Sequence, residues 1–332
     1  QATVMDIVCC DFLYSLFVSA AINYKKDSLL RPFPALFLKE DNEKDFDALI
    51  EAARRLPPLH QIDWKNTDHI NPQSILLLKW VINPKSFHLT LADRREFSNF
   101  VRLVDDTSAP SEPDFLFEVV YGDKENERFM KQAEGHDIIH AYHGSKCENF
   151  HSILYHGLRN NLNKVAFFGE GIYLSSDFKV SILYSPASTG WTNSLFGDSL
   201  SCLALCEAID HPDVKCSKTE DASKPTLRSR SSRSHIKGSE GGEIPEKYFI
   251  VRNDELVRVK YVAVYAPKAD KKFIASILAG TPTVNKNTSY FRQFFSRHRF
   301  LILMLLYVGA LFLIGFFNSS VFNTWWRSRI QH

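Results

Sequence analysis

An uninterrupted apolar run near the C-terminus constrains the fold of this chain more than any other sequence feature. Phe300–Phe317 contains 18 residues, all apolar except for two glycines and one tyrosine, and no charged side chain occurs from Phe300 to Trp326. As an α-helix the run extends about 27 Å, close to the hydrocarbon thickness of a thin bilayer. Because a soluble protein rarely needs a helix that is apolar on every side, we predict a membrane-spanning helix. The alternative is a fully buried core helix.

The residues that flank this run are typical of membrane interfaces. Basic side chains precede it and a tryptophan pair follows it, namely Arg292, Arg297, His298, Arg299, Trp325 and Trp326. We predict a tail anchor at residues 299–322 that inserts after synthesis, with a cytosolic N-terminal body and a short lumenal tail at residues 323–332. The endoplasmic reticulum is the favoured membrane. The basic residues Arg327 and Arg329 keep the mitochondrial outer membrane as the alternative.

The amino-acid composition indicates a folded body and does not point to a particular binding partner. Of the 332 residues, 45% are hydrophobic and 23% are charged, which is enough apolar surface to form a core. The formal net charge of +2 argues against a nucleic-acid partner, since a large interface of that kind needs a concentrated basic face. The six cysteines form no C-x-x-C pair and no histidine pair has zinc-finger spacing, so we expect reduced structural thiols and no metal.

Residues 1–110 have the pattern of an α-helical domain. Asp45–Leu56 places its apolar residues on one stripe and is ended by a proline pair, and Gln73–Ile82 is a second apolar helix. Ile7–Ala21 lacks the basic start of a secretory signal and is interrupted by Asp11, so an amphipathic helix is expected there. The helical pattern continues to about Val104.

The pattern changes after Asp105–Asp114, a turn-rich segment that makes a domain boundary. Residues 111–266 contain short runs with strand character, at Phe115–Tyr121, Ile138–His143, Ile172–Leu174, Leu200–Ile209, Tyr248–Val251 and Leu256–Tyr265. Two short helices are expected between them, at Glu148–His156 and Phe178–Tyr184. We therefore predict an α+β domain.

Two further segments are expected to be irregular. Residues 215–242 are rich in Ser, Arg and Lys, which predicts a long mobile loop; an RNA-binding or phosphorylated arm is the alternative. Residues 267–298 are predicted to link the body to the anchor.

Three short motifs in the second domain carry the candidate functional residues. One closes a strand, one is a Gly-x-Gly turn that enters a strand and is followed by a helix, and one begins a late strand. The Gly-x-Gly turn precedes no helix N-terminus, so it is not a dinucleotide-binding turn, and the second glycine of a nucleophile elbow is missing. The residues are His143, Gly144 and Ser145, then Tyr173, Ser181 and Tyr184 after Gly169 and Gly171, and finally Tyr248.

In this order and spacing the motifs resemble the catalytic domain of the poly(ADP-ribose) polymerase family, the diphtheria-toxin-like ADP-ribosyltransferases. The resemblance covers about Asp114 to Tyr265. It implies a split, mostly antiparallel β-sheet. It also implies an enzyme that uses NAD as a substrate. With its helical domain, its Ser28–Pro34 segment and its apolar tail, the whole chain resembles the small tail-anchored endoplasmic-reticulum member of the family, a mono-ADP-ribosyltransferase.

The resemblance implies a role for each residue that lines the NAD site. His143 is expected to bond the adenine-side ribose hydroxyl with help from Ser145. The backbone of Gly144 is expected to clamp the nicotinamide carboxamide, which Ser181 also bonds. Tyr173 is expected to sandwich the nicotinamide ring together with Tyr184, because an electron-rich face suits its positive charge.

The catalytic set implied by the resemblance is His143, Tyr173 and Tyr248, and its third member departs from the chain-forming members of the family. Those members have a Glu that orients the acceptor sugar for elongation, and a tyrosine supplies no carboxylate. We therefore predict transfer of a single ADP-ribose from NAD to side chains of proteins, including this one, with release of nicotinamide. The expected acceptors are proteins of the endoplasmic-reticulum membrane or the cytosol, and membrane lipid is the other partner. The alternatives are a silent NAD- or ADP-ribose-binding module and a membrane-tethered scaffold.

Overall fold

The N-terminal part of the chain is helical, and side chains cap two of its first four helices. The computed structural model describes residues 7–160, 168–216, 234–235, 244 and 247–280. Its first helices are α1 (Ile7–Ile22), α2 (Lys26–Leu29), α3 (Phe46–Arg54) and α4 (Pro72–Val81). The Asp45 carboxylate accepts a hydrogen bond from the Ala48 N–H at 2.9 Å at the start of α3, and the side chain of Asn71 caps α4. The predicted helical N-terminal region is confirmed.

The chain from Phe87 to Tyr265 forms a mostly antiparallel sheet. Its strands are β1 (Phe87–Leu91), β2 (Phe115–Tyr121), β3 (Ile138–Gly144), β4 (Ile172–Ser175), β5 (Ser188–Thr189), β6 (Ser199–Ile209), β7 (Val214–Cys216), β8 (Ser234–His235), β9 (Tyr248–Val251) and β10 (Val257–Tyr265). The strand order is β1-β2-β10-β6-β3-β4-β9-β7-β8, and β5 pairs with β6. Within the described ranges only β7 and β8 pair in parallel. The α+β fold predicted after the helical region, with its mostly antiparallel sheet, is confirmed.

The sheet is divided between β3 and β4. β3 pairs with β6 along its whole length, from Ile138 to Gly144, and β4 pairs with β9. The two halves are joined through the pair of Tyr142 with Ser175. Beyond this pair β3 carries His143 and Gly144 to the line where the sheet splits.

Four helices lie between consecutive strands along the chain, and two of them pack on one face of the sheet. They are α5 (Arg94–Val104), α6 (Asp123–Gln132), α7 (Phe150–His156) and α8 (Phe178–Ile182). Phe97, Phe100 and Val104 of α5 form a core with side chains of the central strands, including Leu116 and Tyr142. Phe178 of α8 joins the same cluster, so α5 and α8 cover the same face.

Helix α1 packs on the opposite face. Phe12 stacks on Phe117 with ring centroids 4.3 Å apart, and Phe117 points away from its neighbour Leu116 because side chains alternate along a strand. Every residue of α1 from Val8 to Ala21 is buried. The prediction of an amphipathic helix is therefore wrong, because α3, α4 and α7 enclose the sides that the sheet leaves open.

Strand β1 and helix α6 were not expected from the sequence. β1 lies in the stretch predicted to be helical up to Val104, and that prediction is wrong there. Phe87 and Leu89 are buried while His88 is exposed, and the strand pairs with β2. Five alternating residues between two helical stretches give too short a pattern to be separated from them. The described residues up to Asp270 belong to one compact unit, and the domain boundary near residue 110 stays a prediction.

The predicted loop, linker and anchor are described only in part. Within the predicted loop at 215–242, Lys215 and Cys216 lie in β7, and Ser234 and His235 form β8, which pairs with β7. Residues 217–233 and 236–242 are outside the described residues. Lys271–Gly280 forms a helix, α9, within the segment predicted to be a linker, and it belongs to a second unit of the chain. The predicted anchor at 299–322 and the tail at 323–332 also lie outside the described residues. None of the helices that are described is long and apolar enough to cross a membrane.

Candidate active site

His143 bridges the split in the sheet. Its Nδ1 donates a hydrogen bond to the carbonyl oxygen of Tyr173 at 2.9 Å, since a carbonyl can only accept. Burial lowers the pKa of His143, against the smaller effect of this hydrogen bond. The ring is therefore neutral near pH 7, and its Nε2 is left as a hydrogen-bond acceptor. A neutral, oriented imidazole suits the binding of a hydroxyl group better than the binding of an anion.

Gly144 lets helix α8 lie directly against the end of β3. A Cβ at this position would be 1.9 Å from the carbonyl oxygen of Ser181 and 2.8 Å from Cβ of Tyr184. Ser181 is buried and its Oγ donates to the carbonyl of Tyr142 at 3.3 Å. Any other residue than glycine would push α8 away, so the structure adds a packing reason to the ligand-based one that the motif implies.

Ser145 is held by two residues that the motifs did not reveal. Its N–H donates to Oγ of Ser185 at 3.2 Å, and Nδ2 of Asn149 donates to Oγ of Ser145 at 2.9 Å. Because this oxygen already accepts a bond, the Ser145 hydroxyl hydrogen is available to an acceptor on a ligand. The spacing of Asn149, four residues after Ser145, was a signal in the sequence. The contact with Ser185 joins parts of the chain 40 residues apart and was not.

Tyr173 is fixed by the glycine turn that precedes it. Its hydroxyl donates to the carbonyl of Gly169 at 2.7 Å and accepts from the N–H of Phe168 at 2.9 Å. At Gly171, where φ is +157°, a Cβ would lie 2.3 Å from Cγ2 of Ile250. The turn therefore needs glycine to pack against β9. Burial raises the pKa of Tyr173, so its phenol is neutral.

Tyr248 lies beside a second aromatic group that the sequence analysis missed, Phe168. The ring centroid of Phe168 is 6.2 Å from that of Tyr248 and 6.4 Å from that of Tyr173. Burial and then the adjacent Tyr184 hydroxyl raise the pKa of Tyr248. Tyr184 itself is 62% exposed. These contacts set an exposed aromatic ring next to two half-buried ones.

An ion pair ties the start of β9 to the start of α8. Nζ of Lys247 lies 3.2 Å from Oδ2 of Asp177, whose other oxygen accepts the Lys179 N–H at 2.9 Å and so caps the helix. Burial would raise the pKa of Asp177, but Lys247 and the backbone N–H donors lower it. Tyr248, which follows Lys247, is thereby held in position relative to α8.

The seven predicted site residues converge at this end of the sheet. Direct contacts link His143 to Tyr173, and the Tyr184 hydroxyl to Tyr248. Gly144 packs against Ser181 of α8 and against Tyr184, which follows the helix. The roles of these residues stay predictions. In the part of the chain that the structure describes, no group of three His, Cys, Asp or Glu side chains could hold a metal ion, and the six cysteines are buried thiols.

Comparisons with known proteins identify the class that this split sheet defines. Residues 94–266 match the family model of the poly(ADP-ribose) polymerase catalytic domain, and residues 1–82 match that of the ARTD15 N-terminal domain. The chain belongs to the poly(ADP-ribose) polymerase family and is an NAD-dependent ADP-ribosyltransferase.

Among curated proteins, the chain is similar to the protein mono-ADP-ribosyltransferase PARP16 of Mus musculus and of Homo sapiens. The identities are 42% and 40% over 327 residues, which cover 98% of this chain and 95% of each relative. It is 26% identical to the protein mono-ADP-ribosyltransferase PARP8 of Mus musculus over 251 residues, 61% of this chain and 28% of that protein. The similarity to the first two proteins therefore extends beyond the catalytic domain.

Proposed function

We propose that this protein transfers a single ADP-ribose from NAD to side chains of proteins, itself included, at the cytosolic face of the endoplasmic-reticulum membrane. It is a mono-ADP-ribosyltransferase by its similarity to relatives of that activity. The acceptors and the membrane are part of the proposal. The observation that carries the reaction is the His143–Tyr173 hydrogen bond across the split sheet, with Tyr248 in place of an acidic residue.

The hydrogen-bonding pattern of the site fits the ribose on the adenine side of NAD. Nε2 of His143 accepts and the hydroxyl of Ser145 donates, and two neighbouring hydroxyl groups can satisfy one of each. At the nicotinamide end of NAD, the Gly144 backbone and Ser181 would hold the carboxamide. Tyr173 and Tyr184 would lie against the nicotinamide ring, whose positive charge is attracted to aromatic faces.

The transfer step needs position more than a strong base. The bond between the nicotinamide nitrogen and ribose C1′ breaks, its electron pair leaves with nicotinamide, and an oxygen of the acceptor forms the new bond to C1′. Because the pKa of Tyr248 is raised, its neutral phenol is a poor general base near pH 7. An acceptor carboxylate is already deprotonated and needs none. We therefore propose Asp or Glu side chains as the acceptors.

Incubation of the purified protein with labelled NAD tests the reaction. We expect automodification by the wild-type protein and a loss of about 100-fold or more in His143→Ala and Tyr173→Ala, since both remove groups that position NAD. His140→Ala is the matched control, because His140 lies on the same strand but contacts Phe100 on the α5 face. Its labelling should stay within about twofold of wild type.

The same experiment distinguishes the alternatives. NAD binding without label transfer, in a correctly folded wild-type protein, would contradict the transferase and favour a binding module. If the protein binds no NAD, the membrane-tethered scaffold is the remaining alternative. Label that is removed by hydroxylamine supports acidic acceptors, and resistant label would contradict them.

The membrane part of the proposal rests on the hydrophobic length of Phe300–Phe317. A fluorescent fusion of the full chain should colocalise with an endoplasmic-reticulum marker, and deletion of residues 300–332 should make it diffuse and leave automodification intact. Colocalisation with mitochondria would favour the other membrane. A diffuse full-length fusion would contradict the anchor.

A further inference from the structure

Helix α8 is too short to hold its own position at the candidate site. It has five residues, Phe178–Ile182, and an isolated helix of this length is unstable in water. Yet it carries Ser181, runs into Tyr184 and lies in contact with Gly144. Small movements of this helix change the geometry of the proposed nicotinamide site directly. What fixes α8 therefore matters for how NAD is held.

Asp106 fixes the first turn of α8 from a distant part of the chain. Its Oδ2 accepts a hydrogen bond at 3.0 Å from the N–H of Phe178, the first residue of the helix. Its Oδ1 accepts the N–H of Ser108 at 2.8 Å, which fixes the orientation of the carboxylate. The negative charge also opposes the positive end of the helix. Asp106 is the second residue after α5 and lies 72 residues before its partner.

The side chains around this bond connect it to the site. Tyr142 packs on Phe178 with ring centroids 5.9 Å apart, and burial, followed by the nearby Asp106 carboxylate, raises the pKa of the Tyr142 hydroxyl. The carbonyl of Tyr142 accepts the hydrogen bond of Ser181. Asp106 thus bonds the helix and lies near the hydroxyl of Tyr142, the strand residue that the helix is bonded to.

The other polar contacts at the start of α8 are made at neighbouring positions. Asp177 caps its second residue through the Lys179 N–H, and Lys247 pairs with Asp177 at a site that is partly exposed. The bond from Asp106 to the Phe178 N–H is the half-buried one, so water replaces it less readily after a substitution.

We propose that Asp106 is a positioning residue for the nicotinamide end of the NAD site, acting through α8 on Ser181 and Tyr184. The inference rests on the proposed function, because it assumes that nicotinamide binds beside these two residues. Asp106 touches neither substrate nor reacting atoms. Its removal is therefore expected to weaken the binding of NAD more than it slows the transfer step.

Kinetics of full-length Asp106→Ala test this inference. We expect KM for NAD and the inhibition constant of nicotinamide to rise together, each by about 10-fold, with kcat changed by less than about threefold. Asp106→Asn has one acceptor oxygen for two N–H groups and should give an intermediate rise. The matched control is Asp45→Ala, which removes an equivalent helix cap from α3. It should leave both constants unchanged.

The outcomes separate this inference from the proposed function. Absence of transfer by the wild-type protein contradicts the proposed function itself. An active wild type with unchanged constants in Asp106→Ala, or with the same shift in Asp45→Ala, overturns the inference alone. If Asp106→Ala does not fold, Asp106→Asn decides: a raised nicotinamide constant supports positioning, and a wild-type value contradicts it. Thermal stabilisation by added nicotinamide, smaller in Asp106→Asn than in wild type, provides a readout that does not depend on activity.

Discussion

Helices α1 and α8 lie on opposite faces of the same sheet and are held there in different ways. α1 has 16 residues, is buried from Val8 to Ala21 and packs through aromatic rings, with Phe12 stacked on Phe117. α8 has five residues and is held at its start by carboxylates. The chain that follows it is open to solvent, with Leu183 79% and Tyr184 62% exposed.

The difference separates stability from binding. Apolar burial over a long helix such as α1 stabilises the fold whether or not a ligand binds at the opposite face of the sheet. A short helix with exposed aromatic residues contributes little to stability, but it offers ring faces that a ligand can cover. Substitutions on α1 should therefore change the free energy of unfolding, and substitutions around α8 should change the affinity for NAD.

The largest expected effect is on the α1 face. Phe12 is fully buried, stacks on Phe117 at 4.3 Å and meets Phe196 edge-on at 5.8 Å. Phe12→Ala should lower the free energy of unfolding by about 3–5 kcal/mol, measured by urea denaturation, because it leaves a cavity between helix and sheet. KM for NAD of the folded fraction should not change.

Leu183→Ala is the control on the α8 side, with an expected change within about 0.5 kcal/mol because the side chain is 79% exposed. Equal losses of stability in Phe12→Ala and Leu183→Ala would remove the distinction between the two faces.

The second effect comes from the one carboxylate buried in α1. Asp11 is fully buried; its Oδ1 accepts from Oγ of Ser194 at 2.5 Å and from the Leu195 N–H at 3.1 Å, and its Oδ2 has no partner among the described residues. Burial raises the pKa of Asp11 to about 7 from an ordinary value of 3.8, against the opposing effect of these bonds. The folded state therefore favours the protonated acid.

The sign of the pH dependence follows from this. Since the folded pKa is raised, the contribution of Asp11 to stability is complete below about pH 4 and is lost as the pH rises to about 7. Asp11→Asn cannot ionise, so its advantage over wild type should grow by about 2–3 kcal/mol between pH 5 and pH 8 in urea denaturation. Parallel stability profiles of the two proteins would show that Asp11 stays uncharged or is solvated in the fold.

The sequence predicted the parts of the molecule that depend on local pattern. β2 and β9 have the predicted bounds, because their alternating or continuous apolar residues are flanked by turn residues. His143, Tyr173 and Tyr248 converge because they lie near the ends of the neighbouring strands β3, β4 and β9, and α8, which follows β4, brings Ser181 and Tyr184 to the same place. The buried nature of α1 was not predictable, since it depends on what encloses the helix.

The same limit applies to the supporting residues of the candidate site. Asp106 and Ser185 act on partners 72 and 40 residues away, and nothing in their neighbourhood marks them. Phe168 is an ordinary aromatic residue until β4 and β9 bring Tyr173 and Tyr248 beside it. Motifs identify groups that a ligand meets, whereas the contacts that hold these groups require the fold.

A third effect should appear only in binding. Tyr184 is mostly exposed, so Tyr184→Ala should change the free energy of unfolding by less than about 0.5 kcal/mol. It should raise KM for NAD by about 10-fold if the ring covers nicotinamide, in line with the value of an aromatic face for a cation. Tyr184→Phe, which keeps the ring, should restore KM to within about threefold. An unchanged KM in Tyr184→Ala would exclude this ring from the NAD site.

The smallest effect is expected at Tyr248, where we predict a departure from the chain-forming members of the family. Tyr248→Glu places a carboxylate at the predicted third position of the catalytic set, but we expect elongation to require a site for the acceptor sugar as well. That carboxylate would lie beside Phe168 and the Tyr184 hydroxyl. The partial burial of position 248 already disfavours a negative charge there. Automodified Tyr248→Glu should therefore run on a gel as wild type does, without a ladder of longer products. A ladder would mean that Tyr248 alone prevents elongation, and that the region beyond α8 already accommodates an acceptor sugar.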